Sequence, residues 1–199
     1  FLTWFNPGSG TGYVFAVTNL AAVVLLAAVV GAVAQELNYA GAPRGIEGLV
    51  FGVVLWGYVT AYLGLGRLCI LLFRRYLVFG LLLPLLVHVL LVLAGAAIPT
   101  FLQAWWFGLN SFNDYSALQV TNWFWTLGFA ADGKLLGTPL VPLMVTLSAL
   151  AMLLVNLLLA RREVEQVRQQ TPERVWQDEV ERRPELAIAE KQPVSPFED

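Results

Sequence analysis

Residues 115–131 read YSALQVTNWFWTLGFAA, and whether this stretch crosses a membrane decides the topology of the whole chain. As one helix its 17 residues would reach about 26 Å, short of the ~30 Å hydrocarbon core of a bilayer. Reading outward, the stretch is flanked by much longer apolar runs. Residues 13–34 form the first uncharged run, YVFAVTNLAAVVLLAAVVGAVA, whose 22 residues span about 33 Å as a helix. Three more spans are predicted at 49–66, 76–98 (closed by Pro99) and 139–160. The connection 99–137 is left over, with two aromatic pieces, FLQAWWFGL and YSALQVTNWFWTLGFAA.

Composition points the same way. Of 199 residues, 58% are hydrophobic and 13% charged, against roughly 25% charged in a soluble domain. Nine charged residues fall in 1–160 and 17 in 161–199. The first part is therefore written for lipid and the second for water. We read 1–160 as a transmembrane domain and 161–199 as a charged tail, partly helical and then disordered. Within the tail, Thr171 and Pro172 predict a fresh helix start. The fold class is all-α: a polytopic membrane helical bundle of four transmembrane helices, with short outer-leaflet or re-entrant helices and a cytoplasmic tail.

Orientation follows from the arginines. Arg67, Arg74, Arg75, Arg161 and Arg162 collect on one side, whereas Arg44 and Lys134 lie on the other. The arginine-rich side is the cytoplasm, which makes the C-terminus cytoplasmic. Counting 115–131 as a crossing would break this bias, so the segment is either re-entrant or an interfacial aromatic belt. Trp and Tyr suit that depth, being apolar rings with one polar atom.

The second span is rich in small residues: Gly48, Gly52, Gly57, Thr60, Ala61 and Gly64 stand in four-residue rows that permit close helix approach. His88 lies mid-span and predicts a neutral imidazole bonded to a neighbouring helix, with a proton-coupled carrier as the sharper reading. Asn19 and Asn156 are placed to bond across helices, and Pro84 to kink the third. Arg67 either snorkels to the headgroups or lines an inward vestibule, snorkelling being the cheaper.

Several classes lose their parts list. A net charge of -2 without a basic stripe excludes a nucleic-acid partner. Cys69 is alone, one histidine is present, and neither HExxH nor Walker A occurs, so no cofactor, metal centre, catalytic residue or intrinsic ATPase is expected. The chain opens with FLTWF and no Met, and carries no basic signal region; it reads as a fragment.

The long outer connection, the Asn-led NWFWTL within it and the cytoplasmic C-terminus resemble the permease subunits of type 2 ABC exporters. Asn122, Phe124, Trp125, Thr126 and Leu127 follow the family's pattern before its last span, and Trp123 stands where the family has proline. YLGLGRL (62–68) and the terminal SPFED are similar to a bacterial subgroup. The resemblance implies the last four of six spans, pairing of two permeases as a homo- or heterodimer, and two separate ABC ATPase subunits. It also implies an outer gate that includes Asn122, Trp123, Phe124, Trp125 and Phe129, with lipid-like cargo a further expectation. The rival reading is a non-transporting polytopic scaffold whose tail recruits a soluble partner.

The topology is tested by thiol labelling of sealed vesicles in a Cys69→Ala background. Arg74→Cys and Arg161→Cys should react from one face and Lys134→Cys from the other. Labelling of positions 74 and 161 from opposite faces refutes the four-span arrangement.

Overall fold

A computed structural model describes residues 9–37, 45–73 and 82–189, with side chains as far as Glu165. Arg74 and Arg75 lie outside the described residues. Five α-helices are present among those described: α1 (Ser9–Glu36), α2 (Gly45–Phe73), α3 (Leu82–Phe107), α4 (Trp123–Ala131) and α5 (Leu140–Ala189). Short 3-10 turns cover Leu109–Asn113, Ala117–Thr121 and Lys134–Gly137. α1, α2, α3 and the first half of α5 are long and apolar enough to cross a bilayer, and no strand occurs among the described residues. The chain is an all-α, polytopic helical bundle.

α2 is the centre, with α1, α3, α4 and α5 all packed on it. Its small residues explain how so many neighbours fit. Gly52 receives Val24 of α1, Gly57 receives Val145 of α5, Gly64 receives Met152 of α5, and Gly66 receives the His88 ring of α3. Buried positions 57, 60, 64 and 67 recur at three- and four-residue intervals, which keeps them on one helix face. This seam faces α5 and α1. The four-residue rows seen in the sequence divide differently, since Gly57 meets α5 while Ala61 lines a crevice beside α3. Gly48 is half-buried near the start of α2.

Three boundaries differ from the sequence reading. Pro99 was expected to close the third span, yet α3 runs through it to Phe107 and absorbs FLQAWWF, so the first of the two short aromatic helices does not exist. A proline inside a membrane helix costs one backbone bond, here to the Gly95 carbonyl, and is tolerated where the bundle surrounds it; one residue on, Thr100 Oγ1 donates to the Ala96 carbonyl at 2.8 Å. Pro84 makes no mid-span kink, because it falls in the first described turn of α3, where its missing N–H matters least. α5 also passes Thr171 and Pro172 without a break. A helix already running needs only propagation, whereas a restart needs a new nucleus.

The connection from α3 to α5 is punctuated by two left-handed glycines. Gly108 has φ 83° and ends α3; Gly133 has φ 71° and ends α4. Both are conformations that a side chain would strain, and at Gly133 the turn closes with its N–H on the Ala130 carbonyl at 3.0 Å.

Enlarging the seam should therefore destabilise. A Cβ at Gly57 would stand 2.7 Å from Val145 Cγ1, so Gly57→Leu is expected to cost about 1–3 kcal/mol. Gly31→Ala, with nothing within 4 Å, should be neutral or stabilising by up to about 1 kcal/mol. Thermal unfolding in detergent micelles, followed by far-ultraviolet circular dichroism, measures both.

Candidate functional site

The segment between α3 and α5 folds back into the bundle. Trp123 Nε1 donates to the Val92 carbonyl of α3 at 2.9 Å, and the Tyr62 hydroxyl of α2 donates to the Thr121 carbonyl at 2.9 Å. Val92 lies 15 residues before Phe107, the end of α3, and Tyr62 lies 15 residues after Glu47. Counted along the helices these partners lie about 22 Å from the loop-side end, and Ala96 and Tyr58, which also bond the foot, about 17 Å, so the foot reaches roughly 17–22 Å into the bundle. The descending limb is the Ala117–Thr121 turn, and α4 climbs back until Gly133 meets the Glu47 side chain. Of the re-entrant and interfacial alternatives, the geometry is the re-entrant one.

A non-helical limb at that depth must satisfy its polar groups without bulk water, and a row of amides does so. Gln103 of α3 uses its whole capacity: Nε2 donates to the carbonyls of Ser111 (2.6 Å) and Asp114 (2.7 Å), while Oε1 accepts from Ser116 Oγ and Gln119 Nε2, both 2.7 Å. Gln119 Oε1 in turn accepts from Asn122 Nδ2 at 2.8 Å. Asn122 has two amide hydrogens for three acceptors; Gln119 Oε1 and Thr100 Oγ1 (3.0 Å) are nearer than the Ala96 carbonyl at 3.2 Å. Its Oδ1 caps α4 by accepting from Trp125 N–H at 3.2 Å, the N-cap role that asparagine fills well.

The network continues to α2. Thr126 Oγ1 donates to the Gln119 carbonyl at 2.8 Å, so the Tyr115 hydroxyl, 3.0 Å away, is the donor in its bond with Thr126. Burial pushes the Tyr115 hydroxyl above its ordinary range and the Thr126 bond opposes that shift, so this donor keeps its proton at neutral pH. The Tyr58 hydroxyl donates to the Val120 carbonyl. Phe129 stacks on Tyr115 at 4.6 Å, with Lys134 Nζ 5.0 Å above its ring.

The five gate candidates therefore separate. Asn122 is buried, Trp123 leans on α3, Trp125 and Phe129 are half-buried, and Phe124 is 63% exposed and turned away from the network. Thr126 entered the sequence reading only through the family resemblance, and Thr100, Gln103 and Gln119 had no place in it. Their only signal was a lone glutamine in each aromatic piece, FLQAWWF and SALQV.

Beside the hairpin foot lies a crevice of about 470 Å³, floored by Tyr58 and Ala61 of α2, walled by α3 and α5 and edged by Val120 and Thr121 of the hairpin. Its lining is apolar apart from backbone, two tyrosines, Thr121 and Ser148.

The arginine-side end is held differently. Arg67 does not snorkel: it is 4% exposed, pairs with Glu163 of α5 at 2.7 Å and donates to Asn156 Oδ1 at 2.9 Å. Asn156 thus bonds across helices. Asn19 instead donates to Phe15 of its own helix at 2.7 Å and is exposed. His88 also turns inward along its own helix, Nδ1 donating to the Pro84 carbonyl at 2.8 Å, with its ring over Gly66. Arg161 and Arg162 are exposed, Arg161 pairing with Glu165 at 3.0 Å. Among the described residues no cluster of His, Cys, Asp or Glu could hold a metal ion.

Fold and site define a polytopic helical membrane protein with a re-entrant hairpin beside an apolar crevice. No family model, no curated protein and no solved structure matches the chain.

The two ends give separable predictions. Asn122→Ala removes an N-cap and leaves Gln119 Oε1 buried without its donor, so it should cost about 1–3 kcal/mol of stability. Glu163→Ala strands the buried Arg67 charge and should lower the unfolding temperature more than Arg161→Ala, whose exposed pair is worth about 0.3–0.5 kcal/mol. Equal effects of the latter two variants would contradict the pairing described.

Proposed function

We propose that the chain is the membrane-spanning permease part of an ATP-driven exporter for a hydrophobic substrate, working with a separate ATPase subunit in a bacterial inner membrane. The observation that carries this reading is the hairpin 117–131. It fills the loop-side end of the bundle and borders an apolar space between α3 and α5, an arrangement that suits an access-switching permease with its outer gate shut. Asn122, Trp123, Trp125 and Phe129 are the gate's hinge and packing residues. The resemblance of NWFWTL to the permeases of type 2 ABC exporters supports the same assignment.

α5 supports a partner on the arginine side. It continues 24 residues beyond Glu165, to Ala189, about 36 Å as a helix, which suits contact with a soluble subunit. This projection equally favours the scaffold reading, so transport must decide between them.

The deciding experiment purifies the full-length protein in mild detergent and identifies its partner. An ATPase carrying Walker A should co-purify, and proteoliposomes of the pair should move a fluorescent phospholipid when ATP is supplied. A partner without ATPase motifs, or a pair that hydrolyses ATP with no movement of the probe, would favour the scaffold.

A further inference from the structure

We infer that the crevice beside the hairpin is a binding site for one acyl chain of a membrane lipid, which enters sideways between α3 and α5. This deepens the exporter reading, on which it rests for the role of such chains as cargo; occupancy itself needs no transport.

Position comes first. α3 and α5 both pack on α2 and leave the crevice between them. Its deep residues are buried, Tyr58 and Val145 at 6% exposure, while its rim residues Leu65, Ile98 and Met144 are 37%, 56% and 47% exposed. All three belong to helices that cross the bilayer, so the mouth faces hydrocarbon. The volume of about 470 Å³ falls in the range of small-molecule pockets, about 300–1,000 Å³.

The lining favours a slender apolar chain over another helix. Membrane helices meet through small residues, and on α2 the glycines of that kind are already taken: Gly57 by Val145, Gly64 by Met152 and Gly66 by His88. On α3, Gly95 is covered by the Tyr62 ring. What remains at the rim is long and branched or flexible. The chain has two methionines, and both, Met144 and Met152, line this crevice; methionine adapts to apolar ligands of irregular shape.

Polarity agrees. The Tyr58, Tyr62 and Thr121 hydroxyls donate to the carbonyls of Val120, Thr121 and Leu118. The protons of these three turn toward the hairpin, so among the polar lining side chains Ser148 alone keeps a proton for an occupant. An occupant that needs no hydrogen bond is what such a surface accepts.

The test uses full-length protein in nanodiscs of phosphatidylcholine carrying a mid-chain diazirine, with labelled residues mapped by mass spectrometry. Leu65, Met144 and Met152 should be labelled about tenfold more than Leu93 and Leu147, a preference equivalent to about 1.4 kcal/mol. Leu93 and Leu147 are the proper reference, being 59% and 56% exposed on the same two walls. Ser148→Trp, a change at an exposed lining position, should bring the crevice down to the reference level without shifting the unfolding temperature. Even labelling in the unaltered protein would overturn the inference. Enriched labelling without ATP-driven transport would sink the exporter reading and leave this site standing, whereas transport with even labelling would do the reverse.

Discussion

Hydrocarbon offers no hydrogen bonds, and that constraint governs everything between α3 and α5. The descending limb of the hairpin has neither a complete helix nor a sheet to satisfy its backbone, and an orphaned peptide group in lipid costs several kcal/mol. Gln103, Gln119 and Asn122 replace the missing water. Each amide both donates and accepts, so one bond polarises the next and the segment is fixed in a single arrangement. Tyr58 and Tyr62 complete this support from α2.

The two ends of the bundle are held by different physics. Neutral amides hold the hairpin, an arrangement insensitive to salt. At the opposite end a buried guanidinium joins α2 to α5 through Asn156 and Glu163, with Ala160 of α5 closing over Gly10 of α1. Such a pair contributes more to register than to net stability, because desolvation offsets much of the attraction. Between them runs the seam of small residues on α2. Without Gly57 and Gly64, α5 could not come close enough to α2 for Asn156 to reach Arg67.

The four spans were legible because lipid leaves no choice: each needs about 20 uncharged residues in a row, and such runs stand out in the sequence. The centrality of α2 was half-legible, since its glycines announced close packing but not which neighbour each would receive. Boundaries read less well. Pro99 looked like a stop because proline stops helices in water, and inside a bundle that rule weakens. Arg67 looked like a snorkelling anchor because Glu163 lies 96 residues away, a separation over which local pattern is silent. The amide row was invisible for the same reason, although Asn122 before an apolar run did signal the start of α4.

α5 joins the hairpin to the far end of the molecule. Its first two turns contribute Val141 and Val145 to the cluster that also holds Val54, Ala130 and Leu135, and its last residue is Ala189. A 50-residue helix is about 75 Å long, and Pro172 and Pro184 in its outer half each lack the N–H that would tie them to the preceding turn. The stretch before Pro172 is thus a stiff lever abutting the plug, and bending is concentrated beyond it.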